Sequence, residues 1–283
     1  MLLNTRQAAL TGPVQNKRRR TSPMSEPQVT YARDGHVAVL TMNRPEAMNA
    51  MSVAMLTDLT DAVRRYAEDD EAWVAVLRGE GRAFCTGGDL KEALELIGDE
   101  PENFYVMPRQ GLEAFALVRA TPKPMIAAVH GYCMAGGLLL ANACDLIVSG
   151  ESCKFGIPET SVGMPTMGYL DLWKFMGPRV FMEKVLTAEP FGAAEAKACG
   201  LVNRVVADDQ VQAEAMTLAQ KIAGNSPRSV AAHTQAVRLS VKYNREVLEE
   251  FQRQIWDPVV FGQDIQEGLS SFRERRKPQW KNR

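Results

Sequence analysis

The sequence predicts an α/β protein in which helices cover a sheet of largely parallel strands. Short continuous apolar runs, WVAVL at 73–77 and PMIAAV at 124–129, have the length and composition of strands buried on both faces. Helical segments separate these runs, as the connections between parallel strands require. After about Ala207 the chain becomes helical and more polar. These observations favour an α/β core followed by a helical C-terminal region.

The predicted elements follow one another in the order that this class requires. The run HVAVLTM at 36–42 predicts a first strand, and a helix is expected from about Ser52 to Glu68, with Ser52 as its N-cap. Further strands are expected at 73–77, 124–129 and 145–149, and a short helix at 138–144. We place the core at residues 28–206 and the C-terminal helical region at residues 207–283.

Residues 1–27 differ in composition from the rest of the chain. They contain five basic residues, three prolines and no acidic residue before Glu26. Such a segment cannot bury an apolar face, so we expect a disordered basic tail on a cytoplasmic protein. Two alternatives remain open: an organellar transit peptide, which would direct the protein to the mitochondrial matrix, or an extension upstream of a start at Met24.

Composition excludes several functional classes. Apolar residues make up 46% and charged residues 24% of the chain, which is typical of a soluble globular protein rather than a disordered one. A net charge of -1 gives no electrostatic surface for nucleic acid, and no apolar run reaches the roughly 18–20 residues of a membrane helix. Three histidines and five scattered cysteines show no zinc spacing, so we expect no metal and buried, reduced thiols.

Two glycine-bearing turns, each following a predicted strand, carry the clearest chemical signal. Gly87 and Gly88 lie in AFCTGGDL, and Gly136 and Gly137 lie where a helix begins in GYCMAGGLLLA. A backbone amide at such a position has no partner within the helix and carries the positive end of its dipole. Two of these amides aimed at one point would form an oxyanion hole. Taken singly, each turn is also an ordinary structural feature.

Several ordered sequence blocks resemble the crotonase family, which contains the enoyl-CoA hydratases and isomerases. The resemblance implies a spiral of ββα units, C-terminal helices that build a homotrimer or homohexamer, and an acyl-CoA substrate. It also implies that the thioester carbonyl lies between the amides of Gly88 and Gly136, with CoA as part of the substrate and no separate cofactor. The matching blocks are NRPEAMNAM (43–51), GRAFCTGGDLKE (81–92), KPMIAAVHGYCMAGG (123–137), ACDLIVSGESCKFGIPE (143–159) and AAEAKACGLVNRVV (193–206).

The resemblance assigns one catalytic carboxylate. A thioester acidifies its α-protons, so an enolate stabilised by two amides needs in addition a placed acid/base group. Glu159 matches one catalytic glutamate of the hydratases, whereas Leu139 stands where they carry the other. Met167 stands where dienoyl-CoA isomerases carry an aspartate. A single carboxylate is the pattern of the Δ3,Δ2-enoyl-CoA isomerases, so we expect Glu159 to be the sole acid/base, with isomerisation first and hydration second.

The resemblance further implies where CoA is bound. Contacts are expected from the first glycine turn and the helix after it, with Lys91 near the phosphates, and from the basic end of the chain. The expected residues are Gly88, Asp89, Leu90, Lys91, Gly136, Arg276 and Lys277.

Two other functions would use the same pair of amides. One is hydrolysis or decarboxylation of a CoA thioester, and the other is acyl-CoA binding without catalysis. Glu159 favours an enzyme, because a protein that only binds has no need of a buried carboxylate.

Overall fold

The computed structural model describes residues 26–166, 168 and 172–283. Most of the predicted tail, residues 1–25, and the position of Met167 lie outside the described residues. No helix in the described ranges is long and apolar enough to cross a bilayer. All five cysteines are free thiols, and four of them are buried.

A six-stranded sheet forms the centre of the molecule. Its strands are hydrogen-bonded in the order β1-β2-β3-β4-β6-β9, and only the pair β1 and β2 is antiparallel. The α/β class and the mainly parallel sheet are therefore confirmed. The strands are β1 (Val29–Asp34), β2 (Val37–Met42), β3 (Val74–Gly79), β4 (Met125–Val129), β6 (Leu146–Gly150) and β9 (Arg204–Val206).

A second, smaller sheet has the order β5-β7-β8. Its strands are two or three residues long: β5 (Tyr132–Met134), β7 (Lys154–Gly156) and β8 (Phe191–Gly192). The α-helices of the described residues are α1 (Val53–Glu68), α2 (Leu90–Ile97), α3 (Val106–Ala120), α4 (Gly136–Ala143), α5 (Trp173–Met176), α6 (Pro178–Thr187), α7 (Ala193–Ala198), α8 (Val211–Ala223), α9 (Pro227–Lys242), α10 (Arg245–Val260) and α11 (Gln263–Glu274).

Both faces of the large sheet are covered, which explains the continuous apolar runs in its strands. Val74 and Val76 of β3 belong to an apolar cluster with residues of α8. The alternate residues Ala75 and Leu77 belong to the main core, together with residues of α1, α3 and α4. Side chains alternate along a strand, so one five-residue run supplies both layers of the core.

Helices α1 and α4 begin at or near the residues that the sequence predicts. The Ser52 hydroxyl accepts a hydrogen bond from the Met55 amide at 3.0 Å, which confirms the predicted cap of α1. Helix α4 begins at Gly136, two residues before the predicted start at 138. It starts directly from the second glycine turn, and this early start determines which amides remain unpaired.

The C-terminal region is helical, as predicted, and it is tied to the core by charge. The Arg238 guanidinium on α9 binds both oxygens of Asp145, at 2.7 Å each, and donates to the Arg119 carbonyl at 2.9 Å. The Trp280 indole donates to the Gly224 carbonyl at 2.8 Å, which fastens the end of the chain to the end of α8.

Candidate active site

The two glycine turns lie side by side because the segments that lead into them are paired. Cys85 and Cys133 form a parallel bridge. The Cys85 amide donates to the Tyr132 carbonyl at 3.1 Å, and the Met134 amide donates to the Cys85 carbonyl at 3.0 Å. The glycines that follow in the two segments therefore lie next to each other.

The turns approach each other so closely that Gly87 admits no side chain. Its φ is +101°, and a methyl group placed on it would lie 2.6 Å from the Ala135 Cβ and 3.2 Å from the Gly136 nitrogen. A methyl group on Gly136 would lie 3.8 Å from the Gly88 nitrogen. The amides of Gly88 and Gly136 are therefore neighbours.

Each of the two amides is oriented by a hydrogen bond that the carbonyl of its own peptide unit accepts. The Gly87 carbonyl accepts from the Met51 amide at 2.7 Å, and the Ala135 carbonyl accepts from Leu138 at 2.9 Å. In a trans peptide the N–H points opposite to the C=O, so Gly88 N–H points away from Met51 and Gly136 N–H points away from α4. Within the described part of the chain neither N–H donates a hydrogen bond, and the space beside the Gly88 Cα is open.

The small sheet brings the strand that precedes Glu159 to the second turn. Strand β7 pairs with β5, and the Ala135 amide donates to the Gly156 carbonyl at 3.0 Å. Glu159 follows three residues later, in a 3-10 helix over Pro158–Val162. The side chain is half-buried, and its Oε2 atom is shielded from solvent.

Leu139 occupies the first turn of α4 and is 5% exposed. It lies close to Gly168, where a methyl group would lie 3.4 Å from the Leu139 Cδ1 and 2.5 Å from the Leu112 Cδ2. The position at which the resemblance places a glutamate in the hydratases is therefore held by a buried apolar side chain in this chain.

A family model described as "Enoyl-CoA hydratase/isomerase" matches residues 32–283. The chain belongs to the enoyl-CoA hydratase/isomerase family. It is 35% identical over 262 residues to a probable enoyl-CoA hydratase of Rhizobium meliloti (strain 1021), covering 92% of this chain and 100% of the relative. It is 33% identical over 256 residues to a probable mitochondrial enoyl-CoA hydratase of Dictyostelium discoideum, covering 90% and 91%.

A solved structure shows the same fold. The crystal structure of an enoyl-CoA hydratase from Bacillus anthracis has a TM-score of 0.85 at 28% identity, covering 90% of this chain and 100% of that one. The predicted family and the crotonase spiral with C-terminal helices are therefore confirmed, and the protein is an acyl-CoA enzyme of this family.

Within this family fold, Asp89 has structural partners that its predicted role in CoA binding did not include. One oxygen accepts from the Lys91 amide at 3.0 Å and the Glu92 amide at 3.3 Å, capping α2. The other binds the Arg44 guanidinium at 2.6 Å. Burial would raise the pKa of the Asp89 carboxyl, but the Arg44 hydrogen bond, the α2 amides and the Arg44 charge together hold this pKa below its ordinary value.

The other residues predicted to contact CoA differ in the contacts that their side chains make within the protein. Leu90 and Lys91 are exposed at the start of α2, directly after the first glycine turn. Arg276 instead binds Glu267 and Glu274, at 2.5 and 2.7 Å, so its guanidinium fixes the C-terminal segment to α11. Lys277 is exposed beside it.

Three residues of the first family block contribute to the site although sequence reasoning assigned them no role. Met51 bridges to Gly88 through its backbone, and its methyl group fills the space that a side chain on Gly136 would need. The fully buried Asn49 donates to the carbonyls of Glu80 and Ala83. Arg44 binds Asp89. Only their place in the block NRPEAMNAM could have drawn attention to them.

Proposed function

We propose that this family member forms an enolate from an acyl-CoA thioester, with the amides of Gly88 and Gly136 binding the thioester oxygen. The adjacent, unpaired amides beside an open space carry this proposal. Charge builds on the oxygen as the α-proton leaves, so donors oriented beforehand stabilise the transition state more than the substrate. Each such donor is typically worth about 3–4 kcal/mol.

We further propose that Glu159 moves the proton and that double-bond isomerisation is the main reaction. The carboxylate removes a proton from the α-carbon of a 3-enoyl-CoA, and the electron pair passes into the dienolate whose oxygen the two amides hold. Glu159 then returns the proton to the γ-carbon, and the double bond moves to the α,β position. One carboxylate completes this cycle without water or a further cofactor, and CoA enters as part of the substrate.

Leu139 supports isomerisation over hydration. Addition of water across the double bond requires a polar group to position the water, and a missing general acid/base typically costs about 10²–10⁴ in rate. The Leu139 side chain offers no hydrogen bond, and by excluding water it strengthens the bonds between the amides and the enolate.

Hydration is the second candidate, because the relatives above are named hydratases. Hydrolysis or decarboxylation of the thioester, and binding without turnover, would use the same amides. On the enoyl-CoA substrates of the test, hydration gives a 3-hydroxyacyl-CoA, hydrolysis gives free CoA, and binding alone gives no product. Decarboxylation would instead require an acyl-CoA that carries a second carboxylate, from which it would release carbon dioxide.

The test compares wild type with Glu159→Gln, Leu139→Glu and Glu151→Gln on trans-3-enoyl-CoA and crotonyl-CoA. Wild type should isomerise the first faster than it hydrates the second. Glu159→Gln should lose turnover by at least about 10²-fold while it still binds the thioester. Leu139→Glu should shift the ratio towards hydration. Glu151 is an exposed loop residue, so Glu151→Gln is the matched control and should behave as wild type.

Two results would contradict the proposal. One is hydration by wild type that is faster than its isomerisation, and the other is full activity of Glu159→Gln.

We also propose a homotrimer or homohexamer assembled through the C-terminal helices. Large apolar side chains on this region support it, because Phe261 and Phe272 are 83% and 86% exposed in the single chain. Burial of such side chains between copies is the usual reason for apolar patches on a folded protein.

A further inference from the structure

Arg44 lies between two segments that determine the orientation of the Gly88 amide. Its Nη1 atom donates to the Asp89 Oδ2 at 2.6 Å and to the Ala50 carbonyl at 2.9 Å. The Arg44 and Asp89 side chains are 23% and 13% exposed, so solvent screens this pair less than a surface pair. Ala50 precedes Met51, and Asp89 follows Gly88. One guanidinium therefore holds both partners of the Met51–Gly88 bridge.

The bridge itself aims the amide. The Met51 amide binds the Gly87 carbonyl at 2.7 Å, and the Asp89 amide binds the Met51 carbonyl at 3.0 Å. Rotation of the peptide between Gly87 and Gly88 would break the first of these bonds. Gly87 and Gly88 have no side chains to resist such a rotation, so resistance must come from the neighbouring strand.

Arg44, and the Glu92 carboxylate that accepts from the Val53 amide at 3.1 Å, link this segment to the chain after the glycine turn. The Arg44 amide donates to the Asn49 Oδ1 at 2.9 Å, and the Asn49 Nδ2 donates to Glu80 and Ala83 carbonyls at 2.9 and 2.8 Å. Asn49 thus fixes the segment to the chain before the turn, whereas Arg44 fixes it to the residue after the turn.

We infer that Arg44 is a positioning residue for the reaction: through Asp89 and the Ala50 carbonyl it keeps Met51 against the first glycine turn, so that the Gly88 N–H points at the thioester oxygen. This inference rests on the proposed function of the Gly88 amide. In this proposal Arg44 acts through the bridge, by its contacts with Asp89 and the Ala50 carbonyl.

The test uses a readout that a purely structural role would not change. Cinnamoyl-CoA absorbs at longer wavelength when hydrogen bonds polarise its carbonyl, so its band shift on binding reports the orientation of the two amides. Arg44→Met keeps the length of the side chain and removes the charge. Asp89→Ser keeps a good N-cap for α2 but is too short to reach Arg44. Arg64→Met removes an arginine paired with Asp61 on the exposed face of α1 and serves as the matched control.

Arg44→Met and Asp89→Ser should each lose most of the band shift and about 10–100-fold in kcat, less than the loss of a complete oxyanion donor, with KM changed by less than about threefold. The double variant should be no worse than the poorer single variant within about threefold, because both substitutions break the same Arg44–Asp89 contact. Arg44→Lys should lie between wild type and Arg44→Met. Arg64→Met should match wild type.

The inference is overturned if Asp89→Ser, folded by circular dichroism, keeps the band shift and kcat of wild type, even where Arg44→Met fails to fold. It is also overturned if the two losses multiply in the double variant. Failure of the proposed function gives a different result, because wild-type protein would then bind cinnamoyl-CoA without a band shift.

Discussion

The region of the glycine turns and the region of the C-terminal helices differ in how far they bury their large apolar side chains. Between Arg44 and Glu159, neighbouring segments pair through backbone hydrogen bonds, and the large apolar side chains lie mostly inside the core. On α10, on α11 and in the turn that joins them, Val260, Phe261, Leu269 and Phe272 are at least half exposed. Most large apolar side chains of the first region thus lie in the core, whereas the second region presents a group of them that a single copy leaves uncovered.

The contrast indicates where changes should affect chemistry and where they should affect assembly. In the first region, the positions of the amides depend on backbone contacts, and at Gly87 these contacts leave no space for a side chain. In the second region, contacts such as the Arg238–Asp145 pair set the position of whole helices. A substitution in either region should therefore leave the property of the other region largely intact.

Gly87→Ala should have the largest effect on the site. The added methyl would lie 2.6 Å from the Ala135 Cβ, at a φ of +101° that alanine disfavours, so the two turns must separate. We expect kcat/KM to fall about 10²–10³-fold, as for loss of one oxyanion donor. The free energy of unfolding should fall by about 1–3 kcal/mol, the usual cost of overpacking. Enoyl-CoA kinetics and urea titration measure the two effects.

Gly192→Ala provides the control for this prediction. No atom lies within 4 Å of the position that its methyl would take, and its φ is -90°, which alanine adopts freely. Wild-type kinetics are expected for this variant. Equal losses in both alanine variants would show that close packing of the turns is not the cause.

Much of the core fold could be predicted from sequence, because local patterns determine its longer strands and helices. Continuous apolar runs predicted the central strands, and Ser52 predicted the start of α1. Strands β5, β7 and β8 are too short to show a hydrophobic period, so the small sheet that carries Glu159 was not predicted.

Contacts between residues far apart in the sequence are the other features that could not be predicted. Arg44 and Asp89 are 45 positions apart, and nothing in either local sequence indicates their pairing. The resemblance implied that Arg276 contacts CoA, but nothing in the local sequence indicated that its guanidinium also pairs with Glu267. Its pairing depends on the turn after α11, where Arg275 adopts a left-handed conformation with φ of 53°.

Replacement of the two most exposed phenylalanines should affect assembly with little effect on the isolated fold. Phe261→Ser with Phe272→Ser removes apolar surface that the proposed oligomer buries, at about 1.5–3 kcal/mol for each fully buried side chain. We expect a shift towards smaller species in light scattering at micromolar concentration. Leu94→Ser, at a 71% exposed position on α2, is the control. A monomeric wild type would contradict the prediction at once.

Arg238→Met should loosen the joint between the two regions. It removes the hydrogen bonds to Asp145 and to the Arg119 carbonyl and leaves the half-buried Asp145 carboxylate without its cation. Hydrogen bonds to charged groups contribute about 1.5–3 kcal/mol each at most, so we expect a loss of about 2 kcal/mol in the free energy of unfolding. Arg64→Met, which breaks an exposed pair on α1, should cost under about 1 kcal/mol. Similar losses in the two variants would show that Arg238 is no more than a surface arginine.

The smallest expected effect is the detachment of the C-terminal segment at acid pH. The Arg276 hydrogen bond, followed by the Gln279 amide, lowers the pKa of Glu267 to about 2. A carboxyl whose folded pKa is depressed contributes stability above its unfolded pKa, about 4.3, and loses it as pH falls towards the folded value. The C-terminal segment should therefore stay docked at pH 5 and detach between about pH 4 and 2. Hydrogen exchange of the Trp280 indole N–H, which donates to the Gly224 carbonyl, reports this detachment. The quantity to compare is the protection factor, the exchange rate relative to an unprotected indole at the same pH. In Glu267→Gln this protection should already be lower at pH 7 and should lack the wild-type loss between about pH 4 and 2. Protection equal to wild type at every pH would show that Glu267 does not anchor the segment.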